Sequence, residues 1–316
     1  MHKRFVNQCT IALTLVPCGP ILIKSGREGA DPTKPVMEFV ETYHAGGRSI
    51  YLPGSGLKGA IRAHAERIVR TVGSERYNSQ KPNYPWANDP LNDKYDYLKD
   101  KSARDIYKFS SFTDQMFGNT SIASRIRIED AYPIDAKQLK IEERNGVAID
   151  RVFGSVAVGP FNYQVCTAGE FRTKIHLKNF SLAQLGLIGL VLRDLDDGWF
   201  GLGFAKSRGL GMVEVKFNSS VVQYPGCVLE NQQICHLGGQ GQWSHTSLLG
   251  AGVFLESEER TGYGFPANDV QETPVRAESM ALDFGVQLQF QGDEQVRDLF
   301  TRAVRCWRRT LEGATA

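Results

Sequence analysis

The chain has 316 residues, of which 41% are hydrophobic and 23% charged, and its formal net charge is +2. This composition is typical of a soluble globular protein of one or two domains, and it excludes a disordered chain and, since no apolar run is long enough, a membrane-spanning one. The small net charge means that nucleic-acid binding would depend on local basic patches and not on the field of the whole protein.

The first predicted element is a strand, because apolar residues alternate with other residues between positions 9 and 15. A long loop over residues 19–36 follows and contains Gly29-Ala30-Asp31. Loops of this length inside a compact domain are usually either functional or disordered. Asp31 is therefore either a residue with a chemical role or simply the start of a turn before Pro32.

Residues 51–70 predict a turn followed by an amphipathic helix. Pro53-Gly54 favours the turn, Ser55 can cap the helix, and an apolar stripe at helical spacing follows. Lys58 and Arg62 lie one turn apart near the helix start, where glycines, free N–H groups and two cations suit a phosphate backbone. The alternative is an ordinary capped helix with solvated charges. The candidate phosphate contacts are Ser55, Gly56, Lys58 and Arg62.

Residues 71–107 are polar and rich in Asn, Asp, Pro and Tyr, which predicts an insertion between core elements. Its Tyr84 and Trp86 could stack on nucleic-acid bases or could pin the insertion to the core. A short helix that ends at Gly118 and a strand over residues 122–132 are expected next.

Residues 145–171 predict a β-hairpin, since two extended arms flank a glycine-containing segment. Four apolar residues lie near its tip, namely Val152, Phe153, Val156 and Val158. An apolar tip can wedge between the bases of a nucleic acid. The alternative is a hairpin that packs on the core of its own protein.

A strand over residues 171–177 and a helix capped by Ser181 are expected after the hairpin. They lead to a glycine-rich loop over residues 201–211 and a further strand. Successive glycines let backbone N–H groups approach phosphates without steric clashes. The candidate phosphate contacts in this loop are Lys206, Arg208 and Gly209.

Residues 218–316 form an extension, in which residues 281–290 predict a strand and residues 294–311 predict a helix with one apolar face. Six cysteines in a chain of this length do not make a disulfide framework, which favours a reducing cytoplasm. Four residues could supply zinc ligands, but their spacing fits no known ligand pattern, and no metal ligand is assigned. They are Cys227, Cys235, His236 and His245.

Several of these motifs resemble those of the repeat-associated mysterious proteins (RAMPs), the RNA-binding subunits of CRISPR–Cas effector complexes. Residues 53–62, P-G-S-G-L-K-G-A-I-R, are similar to the family signature P-G-S-S-L-K-G-x-x-R, and residues 207–211, S-R-G-L-G, are similar to S-R-G-x-G. Phe117-Gly118 and the sequence E-D-A-Y at residues 129–132 resemble the family's F-G and R-D-A-Y. Ile149-Asp150-Arg151, with A-G-E-F at residues 168–171, resembles the hairpin that the family calls its thumb.

The resemblance covers about residues 8–217 and implies an α+β fold. That fold has a ferredoxin-like (RRM-like) core with an inserted thumb β-hairpin and a C-terminal extension. The implied organisation is a RAMP domain at residues 1–217, with an insertion at about 71–107 and the thumb at about 145–171. The extension at 218–316 then contains a strand–helix unit.

The resemblance is to the backbone subunits of type III effectors, and it implies binding of guide RNA and cleavage of target RNA. Gly29-Ala30-Asp31 followed by Pro35-Val36 is similar to their catalytic loop, G-x-D followed by N-P-V, with residues 32–34 as an addition. This implies Asp31 as the catalytic residue and a divalent metal ion, Mg²⁺, as the cofactor. The expected partners are guide RNA, target RNA and other effector subunits, in the cytoplasm and without a membrane.

Two other functions remain open. In the first, the chain is a structural RNA-binding subunit of the same complex and has lost cleavage. In the second, it is a guide-RNA-processing endoribonuclease of the same superfamily. Those enzymes usually depend on a histidine or tyrosine in a different setting and lack the thumb.

Overall fold

The structure, a computed structural model, describes residues 3–25, 35, 37–44, 46–79, 84–91 and 95–315, with side chains as far as residue 311. Asp31 lies outside the described residues.

The described strands are β1 (Gln8–Pro17), β2 (Glu41–His44), β3 (Gly47–Ile50), β4 (Ile126–Ile128), β5 (Tyr132–Pro133), β6 (Lys140–Ile149), β7 (Val156–Ala168), β8 (Phe171–Lys178), β9 (Val213–Tyr224), β10 (Cys227–Glu230), β11 (Gln233–His236), β12 (Gln242–Ser244), β13 (Ser247–Leu249), β14 (Val270–Glu272), β15 (Glu278–Ser279) and β16 (Val286–Gln291). The described α-helices are α1 (Gly54–Val72), α2 (Ala103–Phe109), α3 (Asp114–Phe117), α4 (Leu182–Asp196), α5 (Ser257–Tyr263) and α6 (Gly292–Thr315).

The centre of the fold is a β-α-β-β-α-β unit formed, in chain order, by β1, α1, β4, β8, α4 and β9. In the sheet these strands lie in the order β9-β1-β8-β4, and every neighbouring pair is antiparallel. Counted along the chain, that is the order 4-1-3-2 of the ferredoxin-like fold. The predicted α+β fold with a ferredoxin-like core is therefore confirmed.

Strand β1 lies between β8 and β9, and the alternate apolar residues along it bury one of its faces. Cys9, Ile11 and Leu13 are at most 1% exposed. The same alternation in β8 buries Phe171, Ile175 and Leu177 and leaves the residues between them on the opposite face. The sheet therefore has one face toward the helices and one open, polar face.

Helix α4 is buried on almost every side because it packs between α1 and α6. Ser181 caps it as predicted, and Gln184 completes a reciprocal capping box. Two glycines allow α6 to approach closely, since a Cβ atom at Gly186 would lie 2.6 Å from the carbonyl oxygen of Ala303, and one at Gly189 would lie 2.7 Å from the ring of Phe300.

The C-terminal strand and helix predicted from the sequence are present as β16 and α6, but the strand begins only at Val286, since residues 281–283 form a 3₁₀ turn. Strand β9 continues past Phe217 to Tyr224, and β16 pairs with this second half, Ser219 to Tyr224. Helix α6 buries the apolar face that its spacing predicts against β9 and α4. That face comprises Val296, Leu299, Phe300, Ala303 and Trp307, all at most 6% exposed.

The polar insertion after α1 is held against the core. The chain segments around Ser74 and Trp86 form a parallel bridge, and the guanidinium of Arg70 donates to the carbonyl oxygen of Asn88. Trp86 is only 6% exposed. Of the two roles open to Trp86, the structure favours pinning the insertion to the core.

Candidate nucleic-acid interface

Helix α1 begins at Gly54, and its cap comes from the distant segment between β4 and β5. The N–H of Gly54 donates to Asp130 Oδ1 at 2.7 Å, whereas no side-chain cap comes from Ser55, so the predicted Ser55 cap is wrong. Gly54 is required because a Cβ atom there would lie 2.3 Å from the carbonyl oxygen of Ile128. Ser55 and Gly56 in the first turn are exposed, and N–H groups in the first turn of a helix have no partner within the helix.

Lys58 and Arg62 are both cations near the start of α1, and the sequence predicts the same role for them, but their surroundings in the structure differ. Lys58 Nζ donates to Ser124 Oγ at 2.8 Å, and partial burial together with the nearby Arg62 charge lowers the pKa of Lys58. A lysine that bonds only a neutral hydroxyl keeps its charge available for a phosphate. Lys58 therefore fits the predicted contact directly.

The guanidinium of Arg62 forms hydrogen bonds with acceptors of the protein itself. It donates to Asp114 Oδ1 at 2.7 Å, to Glu66 Oε1 at 2.7 Å and to the carbonyl oxygen of Gly118 at 2.9 Å. Burial by itself lowers the pKa of Arg62, but Glu66 and Asp114 together raise it above its ordinary value. Arg62 thus joins α1 to α3 and to the Phe117-Gly118 motif, and its side chain remains 30% exposed at the edge of the surface.

The glycine-rich loop packs on the start of the long first loop. The N–H of Phe204 donates to the carbonyl oxygen of Leu22, and the N–H of Gly211 donates to that of Pro20. Gly203 has φ +80°, and a Cβ atom there would lie 2.3 Å from the oxygen of Leu22, so only glycine fits.

At the tip of this loop, Lys206, Ser207 and Arg208 form a single 3₁₀ turn that ends at Gly209. All four residues are exposed, and the guanidinium of Arg208 lies 5.4 Å from the ring of Phe204. The predicted cations and glycine therefore lie together at the surface. Within the described part of the chain, no hydrogen bond or ion pair joins them to Lys58 or Arg62.

The two ends of the long first loop lie side by side at the base of the hairpin. The N–H of Ser25 donates to the carbonyl oxygen of Glu38 at 3.0 Å, which closes the loop. The Ile21 and Cys166 backbones exchange hydrogen bonds, and Met37 bonds the backbones of Asn162 and Gln164 in β7. Asp31 itself lies outside the described residues, but both flanks of its loop are joined to β7.

The predicted hairpin is formed by β6 and β7, which pair with each other and extend further toward the N-terminus than the predicted range of 145–171. Asp150 organises the turn, since its carboxylate accepts the N–H groups of Val152 and Phe153, both at 2.8 Å. Those two side chains are 82% and 83% exposed. Val156 and Val158, at 58% and 64%, are also exposed, so the tip does not pack on the core of its own chain.

Two residues with clear local roles were missed by sequence reasoning. Asp130 was part of a quoted motif, but nothing local indicates that it caps a helix that begins 76 residues earlier. His64, which has no evident partner in the sequence, bonds Asp194 at 2.7 Å in the core, and its ring stacks on Phe200. Only the fold brings Asp194 and Phe200 to His64, because both lie far from it along the chain.

No group of three or more His, Cys, Asp or Glu side chains that could hold a metal ion is found among the described residues. Cys227 and His236 lie opposite each other in β10 and β11, and His245 bonds the carbonyl oxygen of Gln232. All six cysteines are free thiols. Within the same described ranges, no helix combines the length and apolar character needed to cross a bilayer.

A ferredoxin-like core with an exposed basic glycine-rich loop and a projecting apolar hairpin defines a class of RRM-like α+β proteins. Residues 14–214 match the family described as the RAMP superfamily, and the chain belongs to that superfamily. Membership indicates a CRISPR-associated, RNA-binding function with RNA and CRISPR complexes as partners. A comparison with curated proteins gave no match.

Proposed function

We propose that this protein is a guide-RNA-binding backbone subunit of a type III CRISPR effector complex. The observation that supports this most is the continuity of three separate features. The glycine-rich loop, the flanks of the long first loop and the base of the hairpin are hydrogen-bonded to one another through Pro20, Leu22 and Met37. One surface therefore offers cations, a loop long enough to reach a bound strand, and an apolar wedge.

Guide phosphates are proposed to contact the first turn of α1 and the tip of the glycine-rich loop. At these two places exposed N–H groups and cations meet an anionic backbone without reading its sequence, which suits a subunit whose guide is read by base pairing. The residues proposed for these contacts are Ser55, Gly56, Lys58, Arg62, Lys206, Arg208 and Gly209. The main role proposed for Arg62 is to position α1, because its guanidinium already donates to three acceptors of the protein.

The hairpin is proposed to act as the thumb that enters the guide–target duplex. Large apolar side chains that are more than four-fifths exposed, as in Val152 and Phe153, are unfavourable in water and gain from burial against another surface. Insertion between base steps buries them and kinks the duplex. A kinked target strand presents one nucleotide to the loop that begins at the thumb base.

Cleavage of the target RNA is proposed to occur at Asp31 with Mg²⁺, by in-line attack of the target's own 2′-hydroxyl. The support is the resemblance of its loop and the attachment of both loop flanks to β7. Asp31 lies outside the described residues, and no cluster of metal ligands is found among the described ones.

The guide-binding proposal is tested by measuring guide-RNA affinity against salt concentration for Lys58→Ala. Loss of one phosphate contact should reduce the slope of log affinity against log salt concentration by about 0.7–0.9, and it should weaken the binding of all RNA sequences alike. The matched control is Lys99→Ala, which removes a cation with a 72% exposed side chain outside the proposed surface. Equal affinity and slope in Lys58→Ala and wild type would contradict the assignment of Lys58.

Cleavage is tested with Asp31→Ala in the assembled complex with Mg²⁺ present. We expect normal assembly and target binding but a rate about 10²–10⁴ lower at the positions that this subunit cuts. Cleavage at every position at the wild-type rate would instead support the structural subunit without catalysis. Cutting of a guide precursor by the isolated protein would support the processing endoribonuclease.

A further inference from the structure

A groove lies on the open face of the sheet, beside the start of α1. The β2–β3 hairpin, the β4–β5 segment and strand β8 form its walls, and its volume is about 680 Å³. The residues that give it chemical character are His44, Glu129, Asp130, Tyr132, Arg172 and Lys174. We call it the Tyr132 groove.

The groove contains a stack of nearly parallel aromatic rings. The ring of His44 lies on that of Tyr132, with centroids 3.8 Å apart and planes 8° apart, and the ring of Tyr51 lies 5.8 Å from Tyr132 at 17°. The Tyr132 hydroxyl lies 3.3 Å from Asp130 Oδ2, whose carboxylate also caps α1, so the stack is held in a fixed orientation. His44 is exposed at the end of its hairpin and extends the stack toward solvent.

Two cations border this stack. Arg172 lies directly opposite Tyr132 in the pairing of β5 with β8, and Lys174, two residues further along β8, projects from the same face. Within the described residues neither side chain forms an ion pair with a carboxylate, whereas Arg127 is paired with Glu129. Two exposed cations without anionic partners are a site for an anionic group.

A planar π-surface beside an unpaired cation pair matches the two chemical parts of a nucleotide. Aromatic platforms bind unpaired bases because every base has a π-face, and arginine and lysine bind the adjoining phosphate. The groove is also next to the first turn of α1, where Asp130 bonds Gly54, so it adjoins the surface proposed for guide phosphates. Bases within a duplex are already stacked, which leaves an unpaired nucleotide as the fitting ligand.

We propose that the Tyr132 groove binds one unpaired nucleotide of single-stranded RNA. Its base stacks on the exposed ring of His44 and its phosphate lies at Arg172 and Lys174. This inference rests on the proposed RNA-binding function and adds a site at which the base itself, and not only the backbone, contributes to affinity.

The test uses a fluorescent oligouridylate and an oligomer of the same length made of abasic ribonucleotides. Wild type should bind the uridylate about tenfold more tightly than the abasic oligomer, the loss that removal of one base stack gives. His44→Ala, a change at an exposed position, should reduce this preference for bases, and His44→Tyr should restore it. Arg172→Ala with Lys174→Ala should weaken binding of both oligomers and, since one phosphate contact is lost, lower the slope of log affinity against log salt concentration by about 0.7.

The matched control is Lys178→Ala, which removes an exposed cation from the same strand and the same face but outside the groove. Wild-type affinity is expected for this variant. If Lys178→Ala lowers RNA affinity as much as the groove variants do, the whole face of the sheet attracts RNA diffusely, and the proposed binding site in the groove is refuted.

The two proposals fail in different ways. If wild type binds neither oligomer, the RNA-binding function and the groove fall together. If wild type binds in a Lys58-dependent manner but its preference for bases is undiminished in His44→Ala, the groove alone is refuted.

Discussion

Replacing Arg62 with alanine should separate a structural role of this residue from RNA binding. The guanidinium bonds Asp114, Glu66 and the Gly118 carbonyl, and the side chain of Asp114 is only 1% exposed. In Arg62→Ala the Asp114 carboxylate loses its cationic partner and keeps the amide of Asn88, at 2.6 Å, among its donors. The carboxylate would then be buried with hydrogen-bond donors but without its arginine counterion.

The expected cost follows from the burial of the pair. Removing one partner of a fully buried ion pair costs about 3–5 kcal/mol. Because the Arg62 side chain is 30% exposed, solvent screening reduces this to about 2 kcal/mol of unfolding free energy.

The loss of unfolding free energy in Arg62→Ala should also depend on pH. Burial raises the pKa of Asp114 above its ordinary 3.8, and the Arg62 charge opposes that rise. Loss of Arg62 raises the pKa further, so the folded variant binds a proton more readily than the unfolded chain. A carboxyl with a raised folded-state pKa destabilises the fold at neutral pH and ceases to do so as the pH falls below its unfolded-state pKa. The deficit of Arg62→Ala should therefore shrink between pH 7 and about pH 4.

Urea unfolding, followed by circular dichroism at several pH values, measures this deficit. Arg67→Ala is the control, since it removes an exposed arginine from the same helix and should change stability by less than about 0.5 kcal/mol. The double variant with Asp114→Asn should lose less than the sum of the two single losses. An Arg62→Ala protein as stable as Arg67→Ala at every pH would refute the reasoning.

Three further predictions concern the cap, a buried acid and the thumb. Asp130→Ala should lower the unfolding free energy by about 1 kcal/mol, since it leaves the Gly54 N–H without its acceptor, whereas Asp130→Asn should lose less in the same urea titration. Burial raises the pKa of Asp269 from its ordinary 3.8 to about 7, although the N–H groups of Leu182 and Gly252 donate to its carboxylate and oppose the rise. Because the unfolded chain ionises at lower pH than the folded protein, Asp269 should make the wild type progressively less stable as the pH rises from about 4 to about 7. Asp269→Asn should abolish that trend, and its stability relative to wild type should rise by about 1 kcal/mol per pH unit; a constant difference would mean that Asp269 is ionised throughout. Replacing Val152 and Phe153 together with glycine should leave guide affinity unchanged and blur the positions of target cleavage on a gel, and a sharp wild-type ladder would rule out this hairpin as the wedge.

Much of the fold could be predicted because its signals are local. Alternation in β1 and β8, helical spacing in α4 and α6, and the Ser181 cap each involve residues a few positions apart, and such patterns set the secondary structure wherever one face is buried. The hairpin and its apolar tip were also predicted, but the exposure of Val152 and Phe153 follows only from the structure, since packing on the core was equally open from the sequence.

The candidate site was predicted less completely, because its side chains are defined by partners far along the chain. Lys58 and Arg62 are equivalent in a helical pattern, but Asp114 and Ser124 give them different roles. The glycine-rich loop was found from its composition, yet its contact with Leu22 follows only from the fold.

By itself, then, the sequence determined the main strands and helices of the core, the β6–β7 hairpin and the two glycine-rich motifs, since periodicity and turn chemistry act between near neighbours. Only the tertiary structure decided that β16 completes the sheet beside β9, that Asp130 caps α1, and that His44, Tyr132 and Arg172 meet in one groove. The physical reason is that strand register and side-chain contacts between distant segments are set by burial of the whole core, to which each segment contributes only a part.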